Sequence, residues 1–475
     1  MISFFRISSL YKYFFLFLLL LVLYLPVFVY GLPLLREELL RMLIGERLHQ
    51  GYFLYVDVWD DISPLAAGIY WLLDLLVGKA RWVYQLLAMA LVFVQALMLN
   101  QLFLRREVYQ DLTMLPALIY VVLMCSFMDF YTLSPALMAN TLLIWVINLI
   151  FSEVSEKRRG KSYVEIGIYL GVATLLYLPA LLLLLVPVIV FFLYTPTKLV
   201  GYISMSFAFV FSILVMFLVF YMSDREYELY LNYFHPLFYL SPRLLMEVKD
   251  LFLLFVGHLL LLFLAIRRLY GPSRYTNYQL RCQNVMILWW VVSVLAAFLG
   301  SSISPSSWIM AIPASSFLIS HYFLLLRSTL AKELVFTLFL FSVLFFSYNS
   351  SVHFADGQAW VNPNELVTQP SVSADLAQDK KLFITGNNPG DYFYGSAATP
   401  YLNWRLAKRH FESLDKYNVL VNIQENFTQN PPQLIIDHAK VMPRVFDKLP
   451  LLAAQYQANP KQRHIYHLQN NKQQK

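Results

Sequence analysis

Carboxylates that could do chemistry are concentrated in residues 36–65, a charged stretch between two very apolar runs. It reads REELLRMLIGERLHQGYFLYVDVWDDISPL, and its candidate acids are Glu37, Glu38, Asp57, Asp60 and Asp61. Carboxylates held at a membrane surface can act as a general base or bind a divalent cation. The alternative is structural, because Glu/Arg pairs three or four residues apart solubilise a surface helix. Asp60 or Asp61 could also cap a helix that begins near Ser63 and Pro64.

Three more polar residues stand between apolar runs and could contact a substrate. Asp129 lies in DFYTLSP, and His235 and Arg243 lie in NYFHPLFYLSPR. An arginine suits a lipid phosphate because its guanidinium donates two parallel hydrogen bonds. The simpler alternatives are an interfacial position for Asp129 and a solvated arginine on an aromatic surface helix.

The composition indicates a polytopic membrane protein. Of 475 residues, 59% are hydrophobic and only 14% are charged, and the mean hydropathy is +0.56. Such values lie far from the globular average. The net charge of +7 does not predict a nucleic-acid partner, because most basic residues fall in short loops where they orient helices. Cys125 and Cys282 lie in or beside separate apolar runs without a CxxC pattern, which predicts neither a disulfide nor a zinc site.

The elements that must position the candidate residues are mostly membrane spans, which need roughly 20 apolar residues each. Eleven segments are predicted to cross: 13–32, 82–104, 113–129, 136–152, 163–178, 180–194, 199–222, 251–266, 284–300, 308–326 and 334–349. The run 66–78 is short and contains Asp74, which favours a helix lying in the interface. Pro179 separates two of the shorter segments and predicts a tight turn or a broken helix.

Loop charge predicts the sidedness of these spans. With eleven spans, one large group of basic loop residues lies on the same side of the membrane as Arg6 and Lys12. The group consists of Arg105, Arg106, Lys157, Arg158, Arg159, Lys161, Lys198, Arg267, Arg268, Arg274, Arg281, Arg327 and Lys332. Lys and Arg gather in cytoplasmic loops. The N-terminus is therefore expected in the cytoplasm, and the first outer loop, 33–81, faces the same compartment as the C-terminal region.

Three domains are predicted: a transmembrane domain at 1–349, a polar linker at 350–379 and an extracytoplasmic α/β domain at 380–475. In the α/β domain, strands are predicted at KLFITG, PPQLIID and RHIYHL. Helices are predicted at YLNWRLAKRHFESL, NVLVNIQENF and MPRVFDKLPLLAAQY. In the outer loop, residues 35–50 predict an amphipathic surface helix that ends at Gly51.

One stretch carries a resemblance to a known superfamily. GERLHQGYFLYVDVWD at 45–60 contains the pattern G-x-x-x-Y-x-D and precedes a Pro-Leu pair that opens a helix ending in Gly78. With an apolar first helix and an outer C-terminal domain, this layout resembles the GT-C superfamily of integral-membrane glycosyltransferases. That superfamily includes protein O-mannosyltransferases and the aminoarabinose transferases of lipid A. The stretch is also similar to one found in a group of bacterial polytopic membrane proteins.

The resemblance implies an enzyme that uses polyprenyl-phosphate sugars. In these enzymes an acid of the first outer loop, often the Asp of an Asp-Glu pair, deprotonates the acceptor hydroxyl. Counted back from Gly51, Glu37 matches the Glu of that pair and Arg36 stands at the Asp position. Glu37 or Glu38 is therefore implied as the catalytic residue. The candidate substrate-binding residues are Asp57, Asp60, Asp61, Asp129, His235 and Arg243.

The leading hypothesis is a GT-C-like glycosyltransferase of the bacterial inner membrane. It would transfer a sugar from polyprenyl phosphate to an envelope acceptor at the outer face, with membrane lipid as a further partner. The only cofactor considered is a divalent cation. The alternative is a non-catalytic GT-C-shaped scaffold or lipid-binding protein in envelope assembly or secretion, which Arg36 favours. Secondary transport fits less well, because no inverted repeat is visible.

Overall fold

The computed structural model describes residues 1–155, 162–239, 242–269, 275–352, 360–363, 365–460, 462 and 464–469. The loop cations Lys157, Arg158, Arg159, Lys161 and Arg274, and residues 353–359 and 364 of the predicted linker, lie outside these ranges.

Most of the described chain is helical. The helices are α1 (Ile2–Phe5), α2 (Leu10–Tyr30), α3 (Arg36–His49), α4 (Pro64–Val77), α5 (Arg81–Arg105), α6 (Leu115–Leu123), α7 (Pro135–Val154), α8 (Tyr163–Leu176), α9 (Leu185–Tyr194), α10 (Leu199–Tyr221), α11 (Glu226–Leu229), α12 (Pro236–Tyr239), α13 (Val248–Leu269), α14 (Asn277–Ala296), α15 (Ile312–Leu325), α16 (Thr329–Val352), α17 (Ala374–Ala377), α18 (Trp404–Glu412), α19 (Tyr417–Gln429), α20 (Met442–Lys448) and α21 (Pro450–Ala453).

The strands form two sheets. They are β1 (Arg243–Leu244), β2 (Ser302–Ile303), β3 (Lys381–Thr385), β4 (Ser396–Ala397), β5 (Leu434–Asp437), β6 (Tyr456–Ala458) and β7 (Ile465–Leu468). β1 and β2 pair in parallel. The larger sheet has the order β4-β3-β5-β7-β6, in which β3 pairs in parallel with β4 and β5 while β7 is antiparallel to β5 and β6.

The chain forms two compact units. One unit, here called the membrane unit, comprises 1–32, 80–219 and 241–364. The other comprises 33–79, 220–240 and 365–475 and is called the outer unit after the side that loop charge predicts for it. The domain boundaries predicted at 349 and 380 stay predictions.

The membrane unit is a helical bundle that also contains the short strands β1 and β2, and polar groups in its apolar core are hydrogen-bonded. Tyr120 of α6 donates to Gln95 Oε1 of α5 at 2.5 Å and accepts from Asn140 Nδ2 of α7 at 2.9 Å. Gln95 Nε2 donates to Leu137 O at 2.7 Å. A polar group in an apolar interior is costly unless it is hydrogen-bonded, so these bonds fix α5, α6 and α7 against one another.

Eight helical segments among the described residues are long and apolar enough to cross a bilayer: 10–30, 81–105, 135–154, 199–221, 248–269, 277–299, 305–325 and 329–349. They correspond to eight of the eleven predicted spans. The other three coincide with shorter helices, because 113–129 contains α6 and a 3₁₀ turn at Met128–Tyr131, and 163–194 contains α8 and α9. The count of eleven therefore stays a prediction, although the multi-pass bundle is confirmed.

The chain reverses direction between α8 and α9. Tyr177 is extended, with φ −148° and ψ 105°, and a 3₁₀ segment covers Leu178–Leu184. The ring of Tyr163 at the start of α8 lies 5.3 Å from that of Phe191 near the end of α9. Of the two alternatives predicted for Pro179, the structure adopts the turn.

The outer unit is built on a mixed sheet with helices packed against it. β5 is buried along its whole length and β3 at all but its first residue, as expected for parallel strands covered on both faces. Phe383, Tyr401, Phe411 and Phe427 lie in the core between sheet and helices. The strands and the helices predicted at 401–414 and 418–427 are present, with small shifts of their bounds.

Two predicted elements of the outer unit differ from the structure. The single helix expected at 442–456 is divided into α20, α21 and strand β6, because Pro450 follows Leu449, and a residue before proline is disfavoured in the helical conformation. α3 begins and ends where expected, and Gly51 follows it at φ +91°. It is not an amphipathic surface helix, however, since Arg36, Glu38 and Arg47 are buried together with its apolar residues.

Candidate functional site

The centre of the site is the acidic turn, residues 55–63 of the outer unit. Tyr55 has φ +67°, a left-handed conformation that is uncommon for a residue other than glycine. Its N–H donates to Val58 O at 2.9 Å, and its hydroxyl donates to Ile62 O at 2.6 Å. These two bonds close the turn on itself and fix the direction in which its aspartates point.

Asp60 and Asp61 are held together by one amide from the α/β region. Asn403 Nδ2 lies 3.1 Å from Asp60 Oδ2 and 3.2 Å from Asp61 Oδ1. Asn403 is also the N-cap of α18, where its Oδ1 accepts from the Arg405 N–H at 3.1 Å. The start of α18 thus sets the position of both carboxylates.

Trp59 attaches the acidic turn to the same region. Its N–H donates to Pro400 O at 2.8 Å, and its carbonyl accepts from the Asn403 N–H at 3.1 Å. Its ring packs edge-on against Tyr401 and His410, with centroids at 5.0 and 4.7 Å. Trp59 is therefore partly buried against protein.

Burial and neighbouring charge make Asp60 a stronger base than an ordinary aspartate. Only 6% of Asp60 is exposed. Burial raises the pKa of its carboxyl well above the usual value, and the negative charges of Asp61 and Glu37 raise it further. Hydrogen bonds from the Ile62 N–H, at 2.8 Å, and from Asn403 act in the opposite direction without cancelling this effect.

The two glutamates predicted as catalytic have different surroundings. The Glu37 side chain is 30% exposed and lies 3.7 Å from Arg41 Nη2, whereas Glu38 is 4% exposed. Adjacent helical residues point about 100° apart. The negative charge of Glu37 acts on Asp60, so Glu37 is an accessible acid near Asp60, whereas Glu38 is buried. Arg36 is buried, and its N–H donates to Leu366 O at 2.8 Å.

Asp57 and the helix that follows the turn complete the predicted outer loop. Asp57 Oδ2 accepts from the Phe53 N–H at 2.9 Å, which is a local structural bond. α4 begins at Pro64 with Ser63 as its N-cap. The capping role considered for Asp60 is not adopted, because its Oδ1 accepts from Ile62 before the helix begins.

Residues 220–240 contribute side chains that sequence reasoning missed. Asn232 Nδ2 donates to Tyr55 O at 2.7 Å, and Tyr233 OH lies 3.4 Å from Ser63 Oγ. The guanidinium of Arg225 lies 3.9 Å from the centre of the Phe53 ring. No spacing signal connects these residues to the acidic turn, since they lie about 170 positions away in the chain.

His235 lies next to these residues, between a π-helical turn at Tyr230–Phe234 and α12. Partial burial and the positive charge of Arg409 lower the pKa of its imidazole. The lowered pKa favours the neutral imidazole at physiological pH. The predicted contact of His235 with a substrate would therefore be a hydrogen bond rather than an ion pair.

Asp129 and Arg243 belong to the membrane unit. Asp129 is 5% exposed, and its Oδ2 accepts from the Ser306 N–H at 2.7 Å. Ser304 and Ser307 form a capping box at the start of that same segment. Arg243 lies in β1 and is half-buried, with its N–H donating to Ser301 O at 2.9 Å. Asp129 thus joins two turns of the bundle.

The acids of the outer loop were predicted as candidate ligands of a divalent cation. Within the described part of the chain, no three His, Cys, Asp or Glu side chains are grouped in a way that could hold a metal ion.

The overall fold, a multi-pass helical bundle with a small mixed sheet, is similar to that of a solved structure. The crystal structure of ArnT from Cupriavidus metallidurans, bound to undecaprenyl phosphate, matches this chain with a TM-score of 0.55 at 12% identity, covering 97% of this chain and 98% of ArnT. The oligosaccharyltransferase AglB from Archaeoglobus fulgidus, in complex with an inhibitory peptide and a dolichol-phosphate, gives a TM-score of 0.47 at 10% identity, covering 98% and 75%.

At such low identity, the likeness to ArnT establishes the fold alone. No protein-family model and no curated protein sequence matches this chain. Because one fold can host many activities, the function must be argued from the site.

Proposed function

We propose that this chain is a membrane glycosyltransferase that moves a sugar from a polyprenyl-phosphate donor to an acceptor of the cell envelope. The proposal includes the outer face of a bacterial inner membrane as the place of reaction. The observation that carries it is the carboxylate cluster of Glu37, Asp60 and Asp61, in which burial and like charge raise the pKa of Asp60. Such a cluster on a GT-C fold suits the removal of a proton from an acceptor hydroxyl.

Glu37 is proposed as the general base, because it is the accessible acid of the cluster. It would take the proton of the acceptor hydroxyl while the hydroxyl oxygen attacks C1 of the sugar. The bond between C1 and the phosphate oxygen breaks, and the lipid phosphate leaves with the bonding electrons. Asp60 and Asp61 would orient the acceptor through hydrogen bonds. Glu38 is the second candidate for the base, but it is buried.

The other predicted substrate-binding residues are also proposed to contact the substrate. Arg243 would hold a phosphate through its guanidinium, His235 would donate or accept one hydrogen bond, and Asp57 and Asp129 would contribute carboxylate oxygens. Proposed partners are the polyprenyl-phosphate sugar and membrane lipid.

The competing function is a non-catalytic scaffold with the same fold. Arg36 favours it, because a buried arginine stands where the resemblance places the catalytic Asp. A scaffold would need the acidic turn for shape, and the charge of Glu37 would then be dispensable.

The test is a comparison of envelope glycans and glycolipids by mass spectrometry in a deletion strain. The strain is complemented with wild type, Glu37→Gln, Glu38→Gln or Asp60→Asn. Controls are Glu425→Gln and Asp415→Asn, which neutralise exposed acids of the same unit. A sugar that is lost on deletion, restored by wild type and both controls, and not restored by Glu37→Gln supports transfer. Full restoration by all three variants, Glu37→Gln, Glu38→Gln and Asp60→Asn, would favour the scaffold instead.

A further inference from the structure

A pocket of about 540 Å³ opens at the carboxyl ends of β3 and β5 in the outer unit. Its walls come from the loops after both strands, from α18 and from α20, and its lining includes Gly386, Trp404, Lys408, His438, Lys440 and Arg444. This carboxyl-edge pocket lies where the strand order reverses, since the chain continues from β3 to β4 on one side and from β5 to β7 and β6 on the other. In open α/β sheets, ligands bind in the crevice at such a point.

The two loops of the carboxyl-edge pocket are fixed before any ligand arrives. Gly386 has φ +101°, and a Cβ at this position would lie 3.0 Å from His438 Cβ, so the loops approach too closely for a larger residue. Thr385 Oγ1 donates to Asp437 Oδ1 at 2.5 Å and accepts from the Ala439 N–H at 3.1 Å. A rigid pocket loses less entropy on binding than a mobile one.

Positive charge dominates the pocket wall. Lys408, Lys440 and Arg444 are exposed at its rim. Among the described residues of the lining, Glu412 is the one acid, and it lies 3.4 Å from Lys408 Nζ. The described lining therefore carries three cations against one carboxylate.

His438 and two aromatic rings form the deeper part of the pocket. His438 Nε2 lies 3.3 Å from Oδ2 of the fully buried Asp391 and 3.3 Å from Ser371 Oγ. Trp404 and Phe411 are 6% and 2% exposed. An apolar floor below a cationic rim fits a ring that carries an anionic group.

We propose that the carboxyl-edge pocket binds a small phosphate monoester, about the size of a sugar phosphate. Arg444 and Lys440 would hold the phosphate, because a guanidinium offers two parallel donors and an ammonium adds charge. The volume falls within the usual range of small-molecule sites, about 300–1,000 Å³. The pocket lining shares no residue with the acidic turn, and the proposal does not depend on glycosyl transfer.

The same phosphate chemistry has two sources, a soluble sugar phosphate or the headgroup of a phosphate-bearing lipid. The test uses the full chain in nanodiscs of phosphatidylcholine. One arm measures the Kd of radiolabelled glucose 1-phosphate by equilibrium dialysis. The other measures the Kd of dihexanoyl phosphatidic acid in the same way. Variants are Lys440→Gln and Arg444→Gln. The matched control is Lys448→Gln, which removes the same charge from α20 outside the pocket lining.

Loss of either pocket cation should raise Kd at least about fivefold, the effect expected for one charge-assisted contact, whereas Lys448→Gln should change it less than about twofold. Binding of glucose 1-phosphate with this pattern assigns a soluble ester. The same pattern with phosphatidic acid alone assigns a lipid headgroup. If neither probe binds at millimolar concentration, or if Lys448→Gln weakens binding as much as the pocket variants, the proposal is wrong. Size-exclusion profiles and circular dichroism confirm that each variant is folded.

Discussion

Asp60 shows how position rather than residue type gives a carboxylate its chemistry. The five candidate acids of the outer loop have similar side chains, yet Asp60 is buried near Asp61 and Glu37 and receives hydrogen bonds from Ile62 and Asn403. Glu37 keeps access to solvent, and Glu38 loses it. A division between a buried orienting acid and an accessible one is what a general-base site requires.

The bridge from Asn403 gives the first prediction. Asn403→Ala removes the amide that holds Asp60 and Asp61 in place, and it also removes the N-cap of α18. Hydrogen bonds to charged groups contribute roughly 1.5–3 kcal/mol, and an N-cap contributes about 1 kcal/mol. We expect a lower thermal midpoint in detergent and at least about a tenfold loss of complementation activity.

A second substitution separates the two effects at this position. Asn403→Asp keeps an N-cap but places a third carboxylate against Asp60 and Asp61, so it should retain more stability and still lose function. Asn418→Ala, at an exposed position, is the control. Wild-type activity in Asn403→Asp would contradict the role assigned to this bridge.

The raised pKa of Asp60 predicts a pH dependence of stability. Because the folded chain holds this proton more tightly than the unfolded chain, the contribution of Asp60 to stability is most favourable below the unfolded pKa, about 3.9. It becomes less favourable as the pH rises towards the raised folded value. Asp60→Asn removes this trend, so its thermal midpoint minus that of wild type should increase from pH 4 to pH 8.

The lost bond to Asn403 adds an offset to Asp60→Asn that does not depend on pH, which is why the slope rather than the value is measured. Asp415→Asn, at a position 94% exposed, should show a flat difference over the same range. A flat difference for Asp60→Asn as well would mean that its carboxyl titrates normally.

At the scale of elements, α3 and α4 position the acids through close backbone packing. A Cβ on Gly45 of α3 would lie 2.5 Å from Tyr70 O of α4, whereas a Cβ on Gly68 would meet nothing within 4 Å. Gly45→Ala must separate the helices, which should destabilise the outer unit by about 1–3 kcal/mol or more. Gly68→Ala should stabilise it by roughly 0.5–1 kcal/mol, because glycine is a poor helix former.

Thermal unfolding of both alanine variants in the same detergent checks this pair. They differ only in which helix carries the added methyl group, so a general effect of alanine cancels. Equal midpoints for Gly45→Ala and Gly68→Ala would show that α3 and α4 do not need this contact.

Local patterns predicted most elements, because hydrophobic periodicity is itself local. The strands at 381–385, 434–437 and 465–468 and the helices α18 and α19 follow directly from it. What local patterns cannot supply is the pairing of distant residues. Asn403 meets Asp60 across 343 positions, and the burial that distinguishes Glu38 from Glu37 arises only when α3 packs into the outer unit. The fold was therefore more predictable than the site.

The whole molecule raises the question of which compartment each unit faces. Loop charge predicts a cytoplasmic N-terminus and eleven spans, and helix length alone supports eight. The difference concerns 113–129, 163–178 and 180–194, whose helices are short. A helix shorter than roughly 17 residues can span only if the bilayer thins or its flanking residues reach the interface.

Reporter fusions decide between these counts. With eleven spans, a fusion after Ser162 follows four crossings and should report the cytoplasm, while a fusion after Asp379 follows eleven and should report the periplasm. Paired alkaline phosphatase and green fluorescent protein fusions measure both sites, and a fusion at the N-terminus provides the cytoplasmic reference. Alkaline phosphatase activity after Asp379 but not after Ser162 is the expected result. Eight spans would instead give activity after Ser162 alone, because three of them precede Ser162 and all eight precede Asp379. That result, or activity at both sites or at neither, would overturn the eleven-span topology and, with it, the outer location proposed for the carboxylate cluster.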